Sequence, residues 1–159
     1  MATPKKASIR LTEVPDTVTW PDTHYAFIEK IGPFQNTAAP AWQELNQFVP
    51  AISEHNKITG YISRYKVGPK IYRAGVTLSQ EPVNVPENIK YEKFEGGTYS
   101  RFVLTGPYTN LPEASSRVFE IVSKRKLRLR DDYCMENYTN DPKTTPEQQL
   151  VTEILIPTA

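Results

Sequence analysis

The chain has 159 residues, of which 23% are charged and 38% hydrophobic, a composition typical of one globular domain with a proper core. A net charge of +1 gives no overall attraction to nucleic acid or to an anionic membrane, and no apolar stretch approaches the roughly 20 residues of a membrane-spanning helix. The single cysteine, Cys134, excludes an internal disulfide framework, so we expect a cytoplasmic protein.

The first elements in the chain are predicted to be two strands. We expect residues 1–7 to be disordered. Alternating apolar and polar residues predict a strand over 8–14 and another over 24–31. Two Pro-Asp pairs, at residues 15–16 and 21–22, mark the connection between them.

A helix is predicted next. Gly32-Pro33 ends the preceding strand, and the helix begins near Thr37 with Pro40 in its first turn. Apolar residues recur at helical spacing and predict one buried face: Ala38, Trp42, Leu45, Val49 and Ile52. Strands over 58–66 and 71–79 complete a first unit, 8–79, which a proline-punctuated linker, 80–87, separates from the rest.

The second half of the chain predicts the same order of elements. Strands over 89–95 and 98–105 flank Gly96-Gly97, which is typical of a hairpin turn. A helix begins at Asn110, with Pro112 in its first turn. Strands over 132–139 and 150–156 finish this second unit, 88–158. Tight turns between the strands indicate an α+β fold with an antiparallel sheet.

A short signature occurs in both halves. Tyr25 with Gly32-Pro33 returns as Tyr99 with Gly106-Pro107, and Tyr65 with Pro69 returns as Tyr138 with Pro142, each with the same internal spacing. Two elements that recur in one order indicate an internal duplication. We therefore expect two pseudo-symmetric ββαββ units within a single domain, 8–158, with a ligand cleft between them.

These motifs, in this order, resemble the GyrI-like small-molecule-binding family, which includes the effector-binding domains of BmrR/Rob-type regulators. The pattern Tyr-x6-Gly-Pro-[Phe/Tyr], the helix, the segment Glu136-Asn-Tyr138 and the strand 152–157 carry the resemblance. It implies two SH2-like units and an aromatic cleft with a glutamate that meets cationic ligands. On this chain the matching glutamate is Glu136, while the first unit has Ser63 at the aligned position.

The candidate ligand-binding residues surround that glutamate. Period-two alternation places Glu136 and Tyr138 on one face of their strand, and the aligned strand presents Tyr61, Ser63 and Tyr65 on its matching face. Tyrosines around a carboxylate attract organic cations. Duplicated core tyrosines and a solvated glutamate are the alternative interpretation.

Other aromatic residues have two interpretations as well. Trp42 lies on the apolar helix face, where a core role is as good an interpretation as a ligand contact. Phe34 and Tyr108 follow the two Gly-Pro turns and either line the cleft rim or plug a helix start. Glu153, on the last strand, is a candidate for a secondary acidic role.

The sequence leaves three functions open. The first is binding of amphipathic, aromatic or cationic small molecules, for sequestration or for sensing with a partner protein. The second follows from the resemblance, because some stand-alone GyrI-like proteins hydrolyse cyclopropane-bearing alkylating natural products; Glu136 would then be the general base. The third is a protein-binding inhibitor of a DNA-processing enzyme.

Remaining charged and metal-binding features favour ordinary structural roles. The basic run 124–130 is expected to be a solvated helix end rather than a nucleic-acid surface, since Asp131-Asp132 follow it. His24 and His55 are too few and too separated to indicate a metal site. A likeness to the fold of SOUL haem-binding proteins makes His55 a candidate axial ligand, but its polar surroundings favour a surface histidine. We expect no cofactor, no metal and no direct nucleic-acid binding.

Overall fold

The structure, a computed structural model, describes residues 9–159; the predicted disorder of 1–7 and the strand start at Ser8 lie outside this range. The protein is α+β, with a large antiparallel sheet and two α-helices. The strands are β1 (Arg10–Leu11), β2 (Asp16–Trp20), β3 (Thr23–Ile31), β4 (Ile58–Lys66), β5 (Ile71–Leu78), β6 (Lys90–Phe94), β7 (Gly97–Thr105), β8 (Cys134–Tyr138) and β9 (Val151–Pro157). The helices are α1 (Phe34–His55) and α2 (Leu111–Lys124). Neither helix is long and apolar enough to span a membrane.

The sheet runs in the order β1-β7-β9-β8-β4-β5-β3-β6. β2 also pairs with β7, over residues 97–101, whereas β1 pairs with residues 104–105 of β7. The pairing of β4 with β8 therefore joins the first half of the chain to the second. Within each half the three strands that follow this join have the same order, β4-β5-β3 in the first and β8-β9-β7 in the second.

The prediction for the first strand was wrong in its position. Only Arg10–Leu11 of the predicted stretch forms a strand, whereas Asp16–Trp20, which we expected to be a connection, pairs with β7 over its whole length. β-Branched and aromatic residues favour a strand here. Pro15 and Pro21 bound the strand from outside, so they remove no hydrogen bond from it.

The predicted hairpin at Gly96-Gly97 was also wrong. β6 and β7 follow one another in the chain, yet β6 pairs with β3 and β7 pairs with β2 and β9. β2 of the first half thus pairs with the second half, and β6 of the second half pairs with the first half. We call β2 and β6 the lent strands. A Gly-Gly pair permits a sharp change of direction, but the pairing partner is decided by the tertiary structure.

The two lent strands sit in matching registers. Val18 of β2 lies opposite Tyr99, and Glu92 of β6 lies opposite Tyr25. The duplicated glycines Gly32 and Gly106 have φ angles of 138° and 132°, a region that glycine adopts without steric cost. The two copies of the repeated signature therefore have matching strand registers and matching glycine conformations.

Both helices pack on one face of the sheet, the helix face. α1 begins at Phe34 rather than near Thr37, so Pro40 lies beyond the first turn that we predicted for it. Its predicted apolar residues all belong to the cluster that α1 forms with β3, β4 and β5. α2 buries Ala114, Val118 and Val122 against β7 and β9. Phe119 of α2 contacts both clusters and links the two cores.

The opposite face of the sheet, the second face, carries its own core. It consists of buried aromatic and aliphatic side chains from both halves: Tyr25, Phe27, Ile62, Phe94, Tyr99, Met135 and Leu155. Arg64 is buried among them, with its guanidinium carbon 3.8 Å from the centre of the Phe94 ring and a salt bridge of 3.1 Å to Asp132. Cation–π contact and ion pairing together offset the cost of burying this charge.

The close approach of the β2–β3 and β6–β7 connections predicts a strict requirement for Gly96. A Cβ atom there would lie 1.8 Å from the carbonyl oxygen of Trp20, and the Gly96 amide donates to Asp22 at 2.8 Å. We expect Gly96→Ala to lower the free energy of unfolding by about 1–3 kcal/mol or more, because the clash is with backbone atoms. Urea unfolding measures the change.

The control for this experiment is Gly68, in the turn between β4 and β5. A Cβ atom at Gly68 meets nothing within 4 Å, so Gly68→Ala should leave stability within about 0.5 kcal/mol of the native protein. Equal effects of the two substitutions would contradict the close crossing of the β2–β3 and β6–β7 connections.

Candidate functional site

Glu136 lies at the centre of the sheet, on the strand that joins the two halves. In the register of β4 with β8, Glu136 is directly opposite Ser63, the residue that the sequence aligned with it. Both residues point to the helix face, and both are buried, Glu136 with 9% of its surface exposed. This burial excludes the alternative interpretation of Glu136, in which the side chain is solvated.

Hydroxyl groups surround the Glu136 carboxylate. The Tyr138 hydroxyl donates to Oε1 at 2.8 Å, and Ser115 of α2 lies 3.5 Å from Oε2. Ser63 and the Tyr138 hydroxyl are 3.1 Å apart, so the three polar groups form a short chain around the acid. No lysine or arginine in the described part of the chain forms a salt bridge with Glu136.

Burial raises the pKa of Glu136 above its ordinary value, because removal from water disfavours the charged form. The hydrogen bonds from Tyr138, Ser115 and Ser63 act in the opposite direction and leave a net increase in pKa. The acid in turn raises the pKa of buried neighbours that would become anions beside it: burial and Glu136 together raise the pKa of Cys134 to about 12. The site thus favours a neutral acid or a carboxylate that meets a cation.

Aromatic rings cover the Tyr138 side of the acid. The Trp42 ring meets Tyr138 edge-on, with ring centres 5.3 Å apart, and Tyr108 meets it with centres 5.4 Å apart. The indole Nε1 of Trp42 donates to the Tyr72 hydroxyl at 2.8 Å. These contacts bring the predicted Trp42, Tyr108 and Tyr138 together over Glu136.

The remaining predicted aromatics lie at the α1 side. Phe34, the first residue of α1, packs on Tyr65 and Tyr72 with ring centres 5.6 Å from each. The Tyr65 hydroxyl is buried, with no hydrogen-bond partner among the described residues. An unpaired buried hydroxyl costs free energy.

Tyr61 and Glu153 lie apart from this cluster. Tyr61 is on the same face of β4 as Ser63, two residues before it, and is 37% exposed. Glu153 lies on the second face, where it accepts from Asn137 at 2.7 Å and from Arg101 at 3.1 Å. Its expected acidic role therefore does not involve the cluster of side chains around Glu136.

Sequence reasoning missed Tyr72 and Ser115. Tyr72 is buried beneath Trp42, and burial, with a smaller contribution from Glu136, raises its pKa to about 12. It shares a strand face with Ala74 and Val76, so alternation along β5 was the signal that placed it toward α1. Ser115 follows Ala114 on α2, and no motif distinguishes it from other serines.

In the part of the chain that the structure describes, no residue of the basic run and neither histidine is hydrogen-bonded to or ion-paired with Glu136. Lys124, Arg125, Lys126 and Arg128 are exposed at and after the end of α2. His55 is the exposed last residue of α1, and the His24 ring is 2.7 Å from the Tyr91 hydroxyl. In residues 9–159 no three His, Cys, Asp or Glu side chains are placed to hold a metal ion.

The sequence profile of the GyrI-like small molecule binding domain matches residues 14–159. The chain belongs to this family. No curated protein matches the sequence. The resemblance that we found in the repeated motifs is thereby confirmed over most of the chain, and with it the assignment as a small-molecule-binding domain.

Solved structures share the GyrI-like fold. SAV2435 bound to tetraphenylphosphonium is 13% identical, covers 91% of this chain and 93% of its own, and has a TM-score of 0.74. The C-terminal domain of EcmrR is 14% identical over 95% of this chain and 98% of its own, with a TM-score of 0.74. A hydrolase from Listeria innocua is 12% identical over 92% of each chain, with a TM-score of 0.61. At these identities the likeness shows the fold alone.

The raised pKa of Glu136 predicts a pH-dependent effect of its removal. Below the ordinary glutamate pKa both states are protonated, so Glu136→Gln should leave stability unchanged. As pH rises, the unfolded chain ionises first, and the native state loses stability up to its own raised pKa. Near neutral pH the substitution should therefore raise the free energy of unfolding, by about 1–3 kcal/mol.

Urea unfolding at about pH 4 and about pH 7.5 measures this difference. Glu54, exposed near the end of α1, is the matched control, because Glu54→Gln removes a charge but no buried carboxylate. A destabilising Glu136→Gln at both pH values would show that the carboxylate is a structural acceptor.

Proposed function

We propose that this protein binds amphipathic aromatic cations in a cleft between α1 and α2, and that it acts in sequestration or in sensing with a partner protein. The observation that carries the proposal is the buried Glu136 carboxylate, which accepts from the hydroxyls of Tyr138 and Ser115 and forms no salt bridge with any described residue. A buried acid without a cationic partner is costly for the folded protein. A cationic ligand offsets that cost.

The contacts in the cleft suggest how a ligand enters. Tyr138 donates to Glu136 and lies under Trp42 and Tyr108. A cation that approaches the carboxylate displaces the Tyr138 ring, which then joins the aromatic wall around the ligand. Trp42, Tyr108, Tyr61, Tyr65 and Phe34 complete that wall in the proposal. Ring faces attract cations, and their broad apolar surface accepts ligands of different shape.

A cleft at this place is also consistent with an architecture of two units. We infer two SH2-like units, one in each half, related by a pseudo-twofold axis that passes between Ser63 and Glu136. The matching registers of the lent strands and the matching φ angles of Gly32 and Gly106 support this inference. The structure of SAV2435, which carries tetraphenylphosphonium, supports a cationic aromatic ligand for this fold.

The test is binding of tetraphenylphosphonium and of a neutral analogue of similar shape, measured by calorimetry. Glu136→Gln should weaken the cation by about 1–3 kcal/mol, the usual contribution of a partly buried charge-assisted contact, and should barely affect the neutral compound. Equal losses for both compounds would reject Glu136 as the charged anchor. If the protein binds neither compound and a pull-down recovers one stoichiometric protein partner, the result favours the inhibitor function instead.

The basic run supplies a matched control for that experiment. Arg125, Lys126 and Arg128 are exposed after the end of α2, so their replacement by glutamine should leave the affinity for tetraphenylphosphonium nearly unchanged. Loss of affinity in this variant, or salt-dependent binding of DNA by the native protein, would contradict the assignment of these residues to a solvated surface.

Hydrolysis of a strained, cyclopropane-bearing compound is the second candidate. The Tyr138 hydroxyl donates to the Glu136 carboxylate at 2.8 Å, so a candidate base and a hydroxyl donor lie side by side. A raised glutamate pKa brings a general base closer to neutral pH. Mass spectrometry of such a compound, incubated with the protein, would detect the ring-opened product. If the product forms, Glu136→Gln should abolish turnover and preserve binding. If the native protein leaves the compound unchanged, hydrolysis is rejected and ligand binding is the function.

A further inference from the structure

In the first half of the molecule, the second face of the sheet carries the buried side chain of Arg64. Its guanidinium lies between the rings of Phe94 and Tyr133, at 3.8 and 4.8 Å from their centres. On the neighbouring strand, Arg73 lies directly opposite Arg64, and its guanidinium contacts the same Tyr133 ring at 4.5 Å. Two stacked guanidinium groups and their aromatic partners fill this part of the face.

The strand registers identify the corresponding positions in the second half. Arg64 follows Ser63 on β4, and Asn137 follows Glu136 on β8, the residue opposite Ser63. Arg73 lies opposite Arg64, and Glu153 lies opposite Asn137. The second half therefore has a short amide and a carboxylate where the first half has two arginines.

The aromatic partner is present in both halves. Phe94 pairs with Thr23, and Trp20 pairs with Gly97, in the matching registers of β6 and β2. Trp20 thus takes the place of Phe94 beside Asn137. The ring that receives the Arg64 guanidinium in the first half has a counterpart in the second half, but the arginine does not.

The space left by the shorter side chains is a pair of adjoining grooves. Trp20, Pro21 and Asn137 line both grooves, whose volumes are about 440 and 500 Å³. Glu153 borders the first groove, with 17% of its side chain exposed. Asp22 borders the second groove.

Charges at the corresponding positions favour a cation. Arg64 and Arg73 contribute two positive charges, whereas Asn137 and Glu153 contribute one negative charge. Ion pairs change this comparison, because Arg64 and Arg73 are balanced by Asp132, Glu29 and Glu92. In the second half Arg101 is shared between Glu153 and Asp16, so these two acids keep one negative charge in excess. Lys93 faces the same groove as Asp22. An indole face is the strongest aromatic partner for a cation among the side chains.

We propose that the grooves beside Trp20 and Asn137 form a second binding site, for a guanidinium group that stacks on Trp20 as Arg64 stacks on Phe94. The planar group donates to the Asn137 amide oxygen and to a remaining lone pair of Glu153, whose two oxygens also accept from Asn137 and Arg101. The site is on the opposite face of the sheet from Glu136 and does not depend on the function proposed for the cleft.

The probe for this site is Nα-acetylarginine methylamide, with the citrulline compound as a neutral control of the same shape. Addition of the arginine compound should shift the Trp20 indole N–H signal in a ¹H–¹⁵N NMR titration and leave the Trp42 signal in place. The citrulline compound should bind at least about fivefold more weakly, since it lacks the cation–π attraction.

Two variants test the geometry. Asn137→Arg supplies the missing side chain, which should occupy the grooves and weaken the probe at least about fivefold. Trp20→Leu removes the stacking surface and should have a similar effect, followed on backbone amide signals of β8; it keeps the test valid if Asn137→Arg fails to fold.

Three outcomes would overturn the site: no shift at Trp20, equal binding of the arginine and citrulline compounds, or full affinity in a folded Asn137→Arg protein. Glu136→Gln separates this proposal from the function of the cleft. It should weaken tetraphenylphosphonium and leave the arginine probe unaffected, and a loss of both ligands would place the probe in the cleft.

Discussion

The antiparallel pairing of β4 with β8 is the central contact between the two halves of the molecule, and it places Ser63 opposite Glu136 in the middle of the sheet. A residue at that point is covered by strands on both sides and by helices above. A carboxylate there has to lose most of its water, whatever its neighbours are. The hydroxyls of Tyr138 and Ser115 supply only part of the lost solvation. The chemistry of the proposed cleft follows from this one position.

The two faces of the sheet handle buried charge differently. On the second face, Arg64 is paired with Asp132 and stacked on aromatic rings, so its charge is satisfied within the protein. On the helix face, Glu136 receives hydrogen bonds but no countercharge from the described residues. The first arrangement is typical of a structural ion pair, and the second is the reason we propose a binding site there, in which a cationic ligand completes the pairing.

The sequence predicted the features that depend on local spacing. Period-two alternation placed Glu136 and Tyr138 on one strand face, and the repeated Gly-Pro turns marked the ends of β3 and β7. Features that depend on partners distant in the chain were missed: the exchange of β2 and β6 between the halves, and the contact of Tyr72 with Trp42. A turn signal at Gly96-Gly97 does not specify which strand pairs with which, because pairing is decided by the whole sheet.

Proton release on ligand binding tests the central claim most directly. If Glu136 is held partly protonated by burial and ionises when a cation arrives, tetraphenylphosphonium should displace a fraction of one proton at a pH between the ordinary and the raised pKa of this acid. Calorimetry in two buffers of different ionisation enthalpy measures that fraction, and Glu136→Gln should reduce it to zero. Cation binding with no proton release across about pH 4.5–8, or with equal release in the glutamine variant, would contradict the account.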